Sequence, residues 1–337
     1  MIITTHKSLS SSQLKEVALA LSEIDERFNS LNFFGENVFF LPQNLSEEIV
    51  SHVQSLKGVD NVYFPPLNFQ LSSREWRSER SSFKIGDVVV GNGNFQMMAG
   101  PCAVENEQQM YEVAKNLKEC GINFIRGGAY KPRTSPYSFQ GLEREGLKII
   151  RKVADEFDLK VITEVVDRSV LDDVSMYTDV IQIGARNMQN FFLLKELGKI
   201  DKPIFLKRGM SARVTEWLGA AEYILSGGNP KIILCERGIR TFDTSLRNTL
   251  DVAAIPLIQD LSHLPIFADP SHGTGDAKYI KPMALASMAA GCDGIMVEAH
   301  PDPSKALSDG PQSLNFEELR NLTVALKKMG SALSASI

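Results

Sequence analysis

The sequence predicts an α/β protein: a (β/α)8 barrel preceded by a small ferredoxin-like βαββαβ unit. Three observations carry this. Eight apolar, β-rich runs recur between about residues 95 and 299, most of them separated by segments of helical period. The first 66 residues carry a different alternation of strands and helices. No GxGxxG or Walker-type loop follows any strand, as an open doubly wound sheet would normally require.

In the N-terminal unit, IITTHK reads as a strand, and LSSSQLKEVALALSEID as an amphipathic helix entered through serines. LNFFGENVFFLP reads as a hairpin turning about Gly35-Glu36-Asn37. LSEEIVSHVQSL is a second helix opened by a serine, and VDNVYFPP a last strand stopped by Pro65-Pro66. The order βαββαβ is that of a ferredoxin-like sandwich. Residues 67–81, LNFQLSSREWRSERS, are polar and charged and read as a linker. Residues 82–337 form the barrel domain, beginning with a hairpin, SFKIGDVVVGNGNF, that turns near Gly86-Asp87.

The barrel strands are FQMMAGP, NFIRGGA, KVITEV, VIQIGA, PIFLKRG, KIILCERG, PIFADP and GIMVEA. Helical segments include QMYEVAKNLKECG, GLKIIRKVADEFD, NFFLLKELGK, TEWLGAAEYILSGG and MALASMAAG, with FEELRNLTVALKKM closing the chain. Alternation of this kind over some 240 residues is what a barrel requires.

Composition narrows the function. The chain has 337 residues and a formal net charge of -5, with no basic tail or stripe, so nucleic acid is not an expected partner. The first residues lack a signal-peptide core, and no apolar run reaches membrane-spanning length. Four cysteines in neither a disulfide nor a zinc-knuckle spacing point to the cytoplasm.

Barrel enzymes place their chemistry at the C-terminal ends of the strands. Taken in order, those ends carry Cys102, Arg126, Glu164, Arg186, Lys207 with Arg208, Glu236 with Arg237, Asp269 with His272, and Glu298 with His300. Cys102, His272, Glu298 and Asp309 form one group. Strands 1, 7 and 8 are neighbours in a closed barrel, so a thiolate, an imidazole and two carboxylates can converge, a set suited to a divalent transition ion (Mn, Fe, Zn or Co). Arg126, Lys131, Arg133, Arg186, Lys207 and Arg237 form a second, cationic group. So many cations in an acidic chain call for anionic partners, and a ligand with a carboxylate and phosphates would supply them. Pairing with Glu164, Glu236 and Asp269 is the plainer alternative.

AGPCAVE, RGGAYKPRTSPYSFQG, IQIGARNMQNF, KIILCERGIRTF and ADPSHGTG together resemble the 3-deoxy-D-arabino-heptulosonate 7-phosphate (DAHP) synthases of the type I beta branch, over roughly residues 83–330. The resemblance implies condensation of phosphoenolpyruvate with erythrose 4-phosphate and water, the first step of the shikimate pathway, in a cytoplasmic homotetramer. It implies a metal site of Cys102, His272, Glu298 and Asp309, with phosphoenolpyruvate held by Arg126, Lys131, Arg186, Lys207 and Arg237. Arg133 and Thr134 would meet the phosphate of the aldehyde. Lys131 or His272 would deliver a proton, beside Cys102. The N-terminal unit resembles a regulatory extension that binds tyrosine or phenylalanine. The alternative is 3-deoxy-D-manno-octulosonate 8-phosphate synthase, which takes arabinose 5-phosphate. That family carries a Lys-Ala-Asn-Arg-Ser-type loop where this chain reads Lys131-Pro132-Arg133-Thr134-Ser135. Two further classes are a Schiff-base aldolase acting through Lys207 and a non-catalytic sensor.

Overall fold

The structure is a computed structural model that describes all residues except 43, 44, 133, 134, 136 and 335–337. The N-terminal unit runs β1 (Ile2–Thr5), α1 (Ser11–Ile24), β2 (Asn29–Phe33), β3 (Glu36–Phe40), α2 (Glu47–Ser55) and β4 (Val59–Tyr63). Its strands form an antiparallel sheet in the order β2-β3-β1-β4. Serines start both helices: Ser10 and Gln13 form a reciprocal capping box, and Ser46 accepts from the Ile49 N–H. The hairpin turns at Phe34-Gly35, one residue earlier than the sequence suggests. Both residues have positive φ, 50° and 88°, as the tight turn between twisted strands demands. Phe34 accepts that backbone because its ring is held from outside, stacked on Phe83 with centroids 6.2 Å apart and with Arg77 above it.

Strand alternation gives the sheet two buried faces. Met1, Ile3 and Phe39 point towards Val17, Leu21 and Val53 of the two helices. Ile2, Phe33 and Val38 point the other way, into the core cluster that contains Phe69, Leu71 and Trp76. Residues 67–81 are therefore not the solvated linker that their polarity suggests. Phe69, Leu71 and Trp76 are buried, and Trp76 meets Phe33 edge-on at 5.6 Å. The polar groups are satisfied from the barrel: Glu222 accepts from Leu71 N (2.9 Å), Ser72 N (2.7 Å) and Ser72 Oγ (2.7 Å). The His263 ring spans Ser81 Oγ and the Leu71 carbonyl, each at 2.8 Å. Three apolar side chains and two polar anchors, the buried His263 and the half-buried Glu222, turn a charged stretch into part of the core.

The hairpin of β5 (Ser82–Ile85) and β6 (Val88–Gly91) turns at Gly86-Asp87 as expected. Phe83, Ile85, Val88 and Val90 pack against Met98, Phe124, Ile162, Val180, Phe205, Ile233, Phe267 and Met296, which fill the barrel interior. The hairpin thus closes one end of the barrel.

All eight expected strands are present and parallel: β7 (Gln96–Gly100), β8 (Phe124–Arg126), β9 (Lys160–Glu164), β10 (Val180–Ile183), β11 (Ile204–Lys207), β12 (Ile232–Glu236), β13 (Ile266–Ala268) and β14 (Gly294–Glu298). β14 pairs with β7 and closes the ring. The surrounding helices are α3 (Glu107–Cys120), α4 (Glu143–Glu156), α5 (Leu171–Tyr177), α6 (Phe191–Leu197), α7 (Val214–Leu225), α8 (Ala254–Leu261), α9 (Pro270–Thr274), α10 (Ala277–Ala289) and α11 (Phe316–Ser334). α5, α8 and α9, of 7, 8 and 5 residues, have no counterpart among the helical segments named from the sequence. No described helix is long and apolar enough to cross a membrane.

Candidate active site

The strand ends deliver the two expected groups to the same mouth of the barrel, opposite the hairpin. Cys102 lies just after β7, Glu298 ends β14, and Asp309 lies in the loop between β14 and α11. These three offer Sγ and carboxylate oxygens all within 4.8 Å of one another. Cys102 Sγ is 3.1 Å from Asp309 Oδ2 and 3.0 Å from Ser308 Oγ. His272, on α9, joins them through Glu298, with Nε2 3.6 Å from Oε1. Asp269 fixes that ring. It caps α9 by accepting from the His272 N–H (3.0 Å), and its Oδ2 lies 2.7 Å from His272 Nδ1.

Buried ion pairs set the charge states. Burial alone would raise the Glu298 pKa, but His272 and Arg126 more than offset it, and Arg126 Nη1 donates to Oε1 at 2.6 Å. Gln312 Nε2 donates to the other oxygen at 2.6 Å. Asp269 is held well below the ordinary carboxylate range against the effect of burial, by His272 and by Lys207, whose Nζ is 2.6 Å away. Burial, with Glu298 second, pushes the Cys102 thiol up to about 11. Lys131 Nζ donates to that sulfur and to the Cys102 carbonyl, both at 3.0 Å.

Beside this cluster lies a cavity of about 170 Å³, lined by Arg126, Lys131, Arg186, Lys207, Arg237 and Arg247, with Glu164, His272 and Asp309. The plainer alternative of pairing accounts for part of the cationic group. Lys207 pairs with Asp269, and Arg126 with Glu298. Glu236 is taken by Arg208, which stands outside the cavity and also holds Asp251. Among the described residues, Lys131, Arg186 and Arg237 have no carboxylate within ion-pair distance. Glu164 accepts from Gln182 Nε2 at 3.3 Å and pairs with no cation among the described residues. Burial lowers the Arg237 pKa, so its desolvation is not repaid by a protein anion alone. A cavity with this excess of positive charge is built for an anion.

Of the residues expected from sequence, Cys102, Arg126, Lys131, Arg186, Lys207, Arg237, His272, Glu298 and Asp309 meet at this mouth. Arg133 and Thr134 lie outside the described residues. Sequence reasoning missed Arg247, which lines the cavity, approaches Asp309 Oδ1 at 3.4 Å and donates to Gln312 Oε1. It lies in the long connection between β12 and α8, away from any strand end. Only the length of that loop hints at it. Ser308 and Gln312 were missed for the same reason.

A model of the DAHP synthetase I family matches residues 68–335. A phospho-2-dehydro-3-deoxyheptonate aldolase of Thermotoga maritima is 48% identical over 289 residues, 86% of each chain. A 2-dehydro-3-deoxyphosphooctonate aldolase of Francisella tularensis is 31% identical over 263 residues, 73% of this chain and 95% of that one. A crystal structure of the Thermotoga maritima DAHP synthase superposes with a TM-score of 0.79 at 43% identity, covering 98% of this chain and 97% of that one. A truncated form of the 3-deoxy-D-arabino-heptulosonate 7-phosphate synthase from the same organism matches 79% of this chain with a TM-score of 0.74 at 47% identity, and is itself 98% covered.

Proposed function

This chain belongs to the DAHP synthetase I family, and on that premise we propose that it condenses phosphoenolpyruvate with erythrose 4-phosphate and water to give DAHP and phosphate, with one divalent transition ion bound. The observation that carries the reading is the join at the barrel mouth between the cavity rich in Arg and Lys and the Cys102, His272, Glu298 and Asp309 cluster. A thiolate, an imidazole and two carboxylates fit a borderline ion such as Mn, Fe, Zn or Co better than Mg or Ca. When bound, such an ion supplies Lewis acidity to a substrate oxygen.

The protein's own part is positioning and charge. Arg126, Lys131, Arg186, Lys207 and Arg237 hold the carboxylate and phosphate of phosphoenolpyruvate, and screen it from a second anion. Arg133 and Thr134 bind the phosphate of the aldehyde. C3 of phosphoenolpyruvate bonds to the aldehyde carbon, water adds at C2, and phosphate leaves by C–O cleavage. Lys131 donates a proton to the aldehyde oxygen, with His272 the other candidate; the 3.0 Å contact of Lys131 Nζ with Cys102 Sγ puts that proton beside the ligand cluster. Lys207 serves as an anion clamp, since its Nζ is tied to the Asp269 carboxylate at 2.6 Å instead of standing alone in an apolar pocket as a Schiff-base nucleophile would.

Loss of phosphoenolpyruvate absorbance tests the reading. Turnover is expected with erythrose 4-phosphate and not with arabinose 5-phosphate, and is expected to cease on chelation. Turnover with arabinose 5-phosphate alone would transfer the chain to the octulosonate reaction. No turnover with either would leave a sensor.

We propose further that the N-terminal unit takes tyrosine or phenylalanine as an effector, in a cytoplasmic homotetramer. A cavity of about 420 Å³ lined by Thr4, Lys7, Phe34, Glu36, Tyr63 and Trp76 supports the effector reading, since it offers both charges and aromatic faces to an amino acid. Quenching of tryptophan fluorescence on titration, and sedimentation velocity, test the two statements.

A further inference from the structure

We propose that Glu105 and His300 form a clasp that positions Asp309, a pair of positioning residues for the ligand cluster that do not themselves touch it. The proposal rests on the metal reading of Cys102, His272, Glu298 and Asp309.

Asp309 needs holding. It sits in the loop between β14 and α11, and its backbone is left-handed, with φ 52° and ψ 33°. That conformation is costly for an L-residue, even if aspartate bears it better than most. The two ends of the loop are fixed by the sheet: Ala299 and Leu314 form a parallel bridge, and His300 N donates to the Leu314 carbonyl. Its far part, which carries Leu307, Ser308 and Asp309, has no strand partner.

Glu105 supplies the missing tie. It lies three residues after Cys102 in the β7–α3 loop, and its side chain is 9% exposed. Oε1 accepts from the Leu307 N–H at 2.8 Å. Oε2 lies 3.5 Å from His300 Nε2. His300 Nδ1 accepts from the Asp302 N–H at 3.1 Å, which assigns the ring proton to Nε2, facing the carboxylate. One carboxylate thus holds the loop by a hydrogen bond at Leu307 and, on the other side of the 303–305 turn, faces His300 Nε2 at 3.5 Å, a buried atom that has no hydrogen-bond partner among the described residues. Ser308, the next residue, reaches Cys102 Sγ at 3.0 Å, and Asp309 reaches it at 3.1 Å. Cys102 and Asp309 come from different loops, and the carboxylate of Glu105 fixes the spacing between them.

Groups that hold a ligand in this way typically change metal affinity by 10–100-fold when removed. Co2+ is the probe: its thiolate charge-transfer band reports the bond to Cys102, and competition with a chromophoric chelator gives the dissociation constant. Glu105→Ala is expected to weaken Co2+ binding by about 10–100-fold and to alter the band. Glu105→Gln, of the same shape and so a safeguard against misfolding, is expected to fall between that variant and the wild type: its amide oxygen still accepts from Leu307, but its NH2 faces the His300 Nε2–H. His300→Ala is expected to weaken binding too, and Glu105→Ala/His300→Ala to be no weaker than the worse single variant, since the two act as one unit. Wild-type affinity and spectrum in both Glu105 variants would overturn the clasp, as would full additivity in the double variant. Cys102→Ala separates the premise from the proposal. Unchanged Co2+ affinity there defeats the metal reading itself, whereas a loss there with none at Glu105 defeats only the clasp.

Discussion

Lys207 Nζ and Asp269 Oδ2 face each other at 2.6 Å with side chains 3% and 0% exposed, so the floor of the anion cavity rests on a fully buried ion pair. Asp269 also caps α9 and lies against His272 Nδ1, which ties the cationic group to the ligand cluster through one carboxylate. Removing one partner of such a pair strands the other charge and costs about 3–5 kcal/mol. Asp269→Ala is expected to lower unfolding free energy by that amount in urea, and to lower kcat by at least 100-fold as His272 loses its orientation. A variant with normal kcat and lowered stability would make Asp269 a purely structural residue.

Lys131→Ala is expected to abolish condensation while leaving the unfolding free energy in urea within about 0.5 kcal/mol of the wild type, because this side chain has no buried carboxylate partner. Steady-state turnover measured with both substrates checks it. Near-normal turnover would remove Lys131 as proton donor and anchor.

His263 provides a pH dependence remote from the active site. Burial lowers its pKa from 6.5 to about 4, so the folded protein holds it neutral between Ser81 and Leu71. Below pH 6.5 the unfolded chain takes up the proton more readily than the folded one. The stabilisation is therefore complete above pH 6.5, is lost as pH falls from 6.5 towards 4, and changes no further below that. The shift corresponds to about 3 kcal/mol. His263→Gln can keep both hydrogen bonds but not the titration. The unfolding free energy of the wild type minus that of the variant should fall by this amount across the window; a level difference would contradict the assignment.

Glu222→Ala is expected to release residues 67–81 from the barrel. The carboxylate accepts three hydrogen bonds from Leu71 and Ser72, and losing charged acceptors of this kind costs about 2–3 kcal/mol. Limited proteolysis should then cut near residues 64–68 at a protease concentration that leaves the wild type whole. Equal resistance would show that Phe69, Leu71 and Trp76 alone keep the N-terminal unit docked.

The barrel was legible because its signal is local. Each buried strand is an apolar run such as VIQIG or KIILC, followed within a few residues by an ionisable group, and period and position together name most of the site. What sequence hid was long-range. Residues 67–81 look solvated until Glu222 and His263, some 150 to 190 positions away, are seen to satisfy their polar groups. Arg247 and Glu105 follow the same rule, since each acts on a loop that only the closed ring brings near. The turn at Phe34 was misplaced because a bulky residue with positive φ is improbable from local sequence and depends on Phe83 and Arg77.

The β5–β6 hairpin gives the barrel a sealed floor, which leaves the catalytic chamber a cul-de-sac with one doorway. Reactants arriving and products departing must share it. Whatever lies nearest the doorway therefore governs traffic in both directions.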